Sequence, residues 1–156
     1  MVANGVFMSK LVYLITLWGS GAQQYLLRAV QVQQLAAARV VCGVGSSRWS
    51  RRQLLEKVGW LSVKQLIFYH MVLQVQKTKT TGMSKDLYHA VSGSYPRNTR
   101  SAAGGQIRQT RTFPSSTFKH NAIEAFNRVP VDVRVGTIAT VKGKLRKWIK
   151  GNIPID

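Results

Sequence analysis

A mainly α fold is predicted: a small helical bundle with a basic Gly/Ser/Thr/Pro-rich arm and a carboxy-terminal amphipathic basic helix. Three observations predict it. Gln23 to Val41 contains neither Gly nor Pro and is rich in Leu, Gln and Ala, all good helix formers. Two Ser-x-x-Gln sequences, at Ser50 and Ser62, fit reciprocal capping boxes that start helices. From Ile138 to Ile149, apolar residues recur at helical spacing. Composition shifts divide the chain into a helical module over 1–82, a basic extended linker or arm over 83–115, and a carboxy-terminal helical segment over 116–156.

The first apolar run, Leu11 to Trp18, is far short of the ~20 residues that a membrane-spanning helix needs. Lys10, this run and the small residues Gly19 to Ala22 have the order of a secretion signal, but the positive end holds a single Lys. The expected structure is a buried helix ending at a glycine turn. The helix over Gln23 to Val41 is stopped by Gly43 and Gly45. Arg28 and Arg39 lie about three turns apart on it and share one side. A short helix follows the Ser50 box and closes at Gly59. A long one follows the Ser62 box, over Val63 to Lys79, with Gly82 as its stop. Val63, Leu66, Ile67, Phe68, Met71, Val72, Leu73 and Val75 cover most of its circumference, as in a core helix.

Residues 87 to 123 hold no acid, are rich in Ser, Thr, Gly and Pro, and carry Arg97, Arg100, Arg108, Arg111 and Lys119. An extended arm is expected here, with short strand pairing around Gln106 to Phe113 as an option. Helical pattern returns from about Thr117 to Arg128 and stops at Pro130. In the last helix, Ile138, Val141, Leu145, Trp148 and Ile149 form one face, while Lys142, Lys144, Arg146, Lys147 and Lys150 cover the rest. Lys142 with Arg146, and Arg146 with Lys150, are like-charge pairs at i,i+4, which weaken an isolated helix. Two readings of this basic face stay open: contact with phosphate, or plain solvation.

Charge narrows the function. The 23 Lys and Arg face only five Asp and Glu, a formal charge of +18 on 156 residues, so the chain repels itself unless a polyanion is near. With 45% hydrophobic residues it is not a disordered basic tail. Its one cysteine, Cys42, excludes an internal disulfide and is expected to be a small buried hydrophobe. No Walker sequence is present, and Gly43-Val44-Gly45 lacks the third glycine and the preceding strand of a dinucleotide loop. Cys42, His70, His89 and His120 show no metal-ligand spacing, and no two carboxylates stand close enough in sequence for an acid/base pair or a two-metal site. His70, on the apolar face of its helix, is expected at the core or its boundary. No catalytic residue, metal or cofactor is therefore assigned.

The expected partner is nucleic acid, as RNA, DNA or a hybrid, held by phosphate contacts and not by a membrane. The candidate contact residues are Arg48, Trp49, Arg51 and Arg52 around the Ser50 cap, Arg97, Arg100, Arg108 and Arg111 in the arm, and Lys144, Arg146, Lys147 and Lys150 in the last helix. Trp18, Trp60 and Trp148 sit in apolar patterns and are expected in the core. Trp49, inside Arg48-Trp49-Ser50-Arg51-Arg52, suits either base stacking or a hydrophobic staple across the helix cap.

Several segments, in order along the chain, carry a family resemblance. They are Ser9 to Ile15 with Trp18-Gly19, Leu35 to Arg39, Gly59 to Gln65 with Tyr69-His70, and Thr99 to Ser101. Phe126-Asn127-Arg128-Val129-Pro130 with Val133-Arg134 and a closing basic helix over Lys142 to Lys150 complete the set. Together these resemble the region past the catalytic core of non-LTR retrotransposon reverse transcriptases; the Phe126 segment is similar to that family's aromatic-Asn-x-Leu-Pro-x-x-Ile-Arg signature. The resemblance implies a thumb-like module in 1–82, which grips a template-primer duplex without doing chemistry. It implies that fingers, palm and endonuclease would lie before Met1, and that a separate polymerase core is a possible partner. The family's metal-binding Asp-Asp pair has no counterpart here, so no catalytic residue is carried over.

The function expected is a non-catalytic nucleic-acid-binding fragment of a retroelement reverse transcriptase, acting inside the cell, in nucleus or cytoplasm, and not secreted. A structural RNA-binding protein of ribosomal type and a helical protein-interaction module remain as alternatives, with an active enzyme the last of them.

Overall fold

Several helices begin where the sequence supplies side-chain acceptors for their first N–H groups. At Ser50 the hydroxyl accepts from Gln53 N (3.2 Å) while Gln53 Oε1 accepts from Ser50 N (2.9 Å). Ser62 and Gln65 repeat this reciprocal pair at 3.3 and 3.1 Å. Thr117 caps a third helix through its hydroxyl, which accepts from His120 N.

In this computed structural model the described residues are 8–13, 15, 19, 21–45, 49–82, 85–92, 105–107 and 117–155. Residues 8–13 are helical. They are followed by α1 (Gln24–Cys42), α2 (Arg51–Val58), α3 (Val63–Thr81), α4 (Lys85–Ser92), α5 (Phe118–Arg128), α6 (Val131–Arg134) and α7 (Ile138–Asn152). No strand forms among the described residues, so the fold is mainly α. Gly43 and Gly59 end α1 and α2 at φ 64 and 73, a left-handed turn that glycine enters without a Cβ clash.

Contacts divide the chain into two compact units, Met1–Ile67 with Asn152–Asp156, and Phe68–Gly151. The first change of unit falls inside α3, where composition gives no signal.

In the first unit α1 packs on α2, and Leu35, Ala38, Leu54, Leu55 and Trp60 form the core. Leu11 and Ile15 are buried, as expected of the first apolar run; Trp18 lies outside the described residues. Gly19 is required by close approach: a Cβ there would stand 2.6 Å from Ile15 O and 2.8 Å from an Ile67 side-chain carbon. Cys42 is half-buried against the core rather than fully buried, because it sits in the last turn of α1.

Glutamines bind this unit in a way that no apolar pattern announces. Gln34 is fully buried and donates to Leu61 O (2.8 Å). Gln31 donates to Gln34 (2.9 Å), and its Oε1 accepts from Val63 N (2.8 Å), one of the N–H groups that the start of α3 leaves without a helical partner. Gln65, 2% exposed, donates to Ile153 O (2.7 Å) and so ties the end of the chain to α3.

The second unit buries Val72, Val75, Ile123, Phe126, Leu145 and Ile149 almost completely. Two sequence expectations are corrected here. Lys85–Ser92, inside the segment expected to be extended, is helical, because Leu87 and Val91, one turn apart, are both buried (4% and 7% exposed) and α4 packs on α5. Ile107, in the segment expected to be an extended basic arm, is packed away at 3% exposed. Asn127 clamps it: the side-chain oxygen accepts from Ile107 N and the amide donates to Ile107 O, both at 2.8 Å. This side chain supplies the pair of bonds a neighbouring strand would have made. The rest of the strand-pairing option lies outside the described residues.

The Phe126–Arg134 segment closes on the same place. Arg134, in the short helix α6, is 7% exposed; it donates to Gly105 O (3.3 Å) and lies 4.7 Å from the Phe126 ring centroid. Lys79 approaches that ring to 5.2 Å. Burial pushes the Arg134 guanidinium below its ordinary pKa, and burial followed by Arg134's charge does the same to Lys79.

Candidate nucleic-acid interface

α7 sorts its residues as the periodicity requires. Val141, Leu145 and Ile149 are fully buried, while Lys142, Lys144, Arg146, Lys147 and Lys150 are exposed. Ile138, the first residue of α7, and Trp148, at the edge of the apolar stripe, are both expected in the core and are half-buried. Trp148 stacks on Phe68 at 5.9 Å between ring centroids, and Arg128 covers Phe68 at 5.7 Å. The Lys144 ammonium donates to Asp132 O (2.9 Å), which holds that side chain against α6.

The second unit brings α3 residues to this basic face that sequence reasoning did not assign to it. His70 is half-buried on α3, and its pKa is lowered, first by burial and then by the charges of Lys77 and Lys142. The phenol of Tyr69 is raised by burial, with the Arg146 charge acting the other way. The charges of Lys77 and Lys142 thus act on His70 and that of Arg146 on Tyr69, and the two rings meet edge to face at 5.3 Å. The exposed side of α7 is electropositive, with no acidic residue in the helix, and the half-buried Tyr69 and His70 lie within reach of the Arg146 and Lys142 charges. Such a set can pair with phosphate oxygens and offer an aromatic edge to a base or sugar. The available signal was the position of Tyr69, His70 and Lys77 on one helix; the apolar majority of α3 concealed it.

In the first unit, Trp49 is 38% exposed at the residue before the Ser50 cap, and Arg51 is exposed on the first turn of α2. Arg52 is committed locally: its Nε donates to Glu56 at 2.8 Å, one turn on, and this bond raises its pKa. Arg48, Arg97, Arg100, Arg108 and Arg111 lie outside the described residues.

Among the described residues no group of three His, Cys, Asp or Glu side chains is placed to hold a metal ion, and no helix is long and apolar enough to cross a membrane. Compared with family models, with curated proteins and with solved structures, the chain matches none.

Proposed function

We propose that this chain is a non-catalytic nucleic-acid-binding module that grips a phosphate backbone through the α3–α7 surface of its second unit. One observation carries the reading: α7 exposes Lys142, Lys144, Arg146, Lys147 and Lys150 with no acidic residue in the helix, and the exposed Lys77 of α3 adds its charge beside that of Lys142 at His70, in a chain with a formal charge of +18. Each cation set against a phosphate releases a condensed counterion, so binding tolerates sequence and depends steeply on salt. The resemblance of the Phe126–Arg134 segment and the basic last helix to the post-catalytic region of non-LTR reverse transcriptases supports a template-primer duplex as the target. On this reading the chain holds a duplex and leaves polymerisation to a separate core.

The test is fluorescence anisotropy of the full chain with labelled single-stranded RNA, duplex DNA and RNA–DNA hybrid over a salt series. Affinity is expected to fall by orders of magnitude between ~50 and ~200 mM salt. The triple substitution Lys77→Gln, Lys142→Gln, Arg146→Gln is expected to flatten the logarithmic salt slope by about two to three units. An unchanged slope would place binding elsewhere, and no binding at low salt would end the proposal.

A further inference from the structure

The basic patch leaves α1 unexplained. Its buried residues, Gln34, Leu35 and Ala38, define one face. The opposite face carries Tyr25, Ala29, Val32, Ala36 and Val40, at i, i+4, i+7, i+11 and i+15, all exposed. Exposure reaches 65% at Tyr25, 59% at Val32 and 79% at Val40, so the stripe is apolar yet faces solvent. Single exposed apolar residues are ordinary, but a line of them about 22 Å long on one helix face is not. The two alanines recur seven residues apart between the larger side chains, leaving hollows where a second helix can seat its own side chains.

Charge selects the occupant. Arg28 and Arg39 both flank the stripe on the same edge, and α1 holds no acidic residue. A second copy paired antiparallel would set this arginine edge against itself, and two chains of formal charge +18 repel. Nucleic acid gains nothing from an apolar line without hydrogen-bond donors. A bilayer gains nothing from hollows at heptad spacing. We infer that the exposed face of α1 is a docking surface for an amphipathic helix of a partner protein, with an apolar stripe that packs on Tyr25, Val32 and Val40 and acidic residues along the edge that meets Arg28 and Arg39. The mode is helix on helix, with apolar anchors giving affinity and the arginine edge giving direction. This surface is independent of the nucleic-acid patch.

The test uses the full chain and a labelled synthetic helical peptide of about three heptads, with Leu at the two seam positions and Glu at the flanks. Controls are the same peptide with Lys at the flanks and a scrambled peptide of the Glu composition. The Glu peptide is expected to bind, and both controls to bind about tenfold more weakly or worse. Val32→Asp and Tyr25→Asp, at exposed positions, are each expected to weaken the Glu peptide at least about tenfold with unchanged circular dichroism. Arg28→Glu with Arg39→Glu is expected to turn the preference toward the Lys peptide. Equal binding of patterned and scrambled peptides, or indifference to Val32→Asp, would overturn the inference, since attraction to net charge alone would then explain the data. A dimer in sedimentation that Val32→Asp dissolves would overturn it in favour of a second copy. Flotation with phosphatidylcholine–phosphatidylglycerol vesicles that Val32→Asp abolishes, without peptide binding, would overturn it in favour of a bilayer.

Discussion

Replacing Leu145 by alanine, beside a variant stripped of the exposed α7 charges, separates the face that stabilises the fold from the basic face exposed to solvent. Leu145 is 0% exposed, and Val141 and Ile149, one turn away on either side, are also at 0%. Its neighbours are themselves fixed, so the space left by the lost carbons cannot easily collapse, and the cost falls in the upper part of the ~2–5 kcal/mol range for buried Leu→Ala changes. The charge variant carries Lys144→Gln, Arg146→Gln, Lys147→Gln and Lys150→Gln. It loses the exposed bond from Lys144 to Asp132 O, worth about 0.5–1 kcal/mol. It also relieves the Lys142–Arg146 and Arg146–Lys150 repulsions, about 0.2–0.5 kcal/mol each, so its net change is near zero. Urea unfolding followed by far-UV circular dichroism reads both variants. The midpoint should fall for Leu145→Ala with the slope unchanged, and hold for the charge variant. A charge variant that loses more than about 2 kcal/mol, beside a near-silent Leu145→Ala, would refute the assignment of the two faces.

Three further outcomes follow from the structure. Gln65→Leu should destabilise by about 1–3 kcal/mol for each buried group left unpaired, Ile153 O and Ser62 N; denaturant unfolding measures it, and a neutral result would mean that water replaces the side chain. Asn127→Ala should speed hydrogen exchange at the Ile107 amide well before that of the α5 interior, whereas equal protection would show that burial alone holds Ile107. The lowered pKa of His70 means that the folded state prefers the neutral imidazole. Above about pH 7 both states are neutral and the group contributes no pH dependence; as pH falls below ~6.5 the unfolded state binds the proton first, and stability declines until the folded pKa is passed. His70→Gln should flatten that part of the stability profile, and an unchanged profile would assign the decline to other groups.

Much of the local structure was legible because it depends on neighbours in the chain. The Ser50 and Ser62 boxes, the Gly43 and Gly59 stops and the period of α7 each involve residues within one or two turns, so the spacing alone contains the geometry. Where a long-range contact decided, sequence reading failed. α4 was hidden at the start of a segment rich in Ser, Thr, Gly and Pro, and its helix depends on Leu87 and Val91 finding a surface to cover. Trp148 reads as core by period but lies at the stripe's edge, where it stacks on Phe68 and keeps part of its ring in water.

The candidate surfaces divide in the same way. The sequence by itself determined the helical class, the excess of positive charge and the basic side of α7, because composition and period are properties of the chain. Which cations stand together was decided only by tertiary structure: Lys77 shares α3 with His70, but the charge of Lys142, far off in sequence, reaches His70 only once the chain has folded. The same holds for Gln34 and Gln65, polar residues that burial would penalise, whose partners at Leu61 and Ile153 exist only once the helices have met. It holds also for α1, whose apolar residues lie on more than one side. Only the fold decides which face meets the interior and leaves Tyr25, Val32 and Val40 in solvent, since one helix has more apolar surface than a single neighbour can cover.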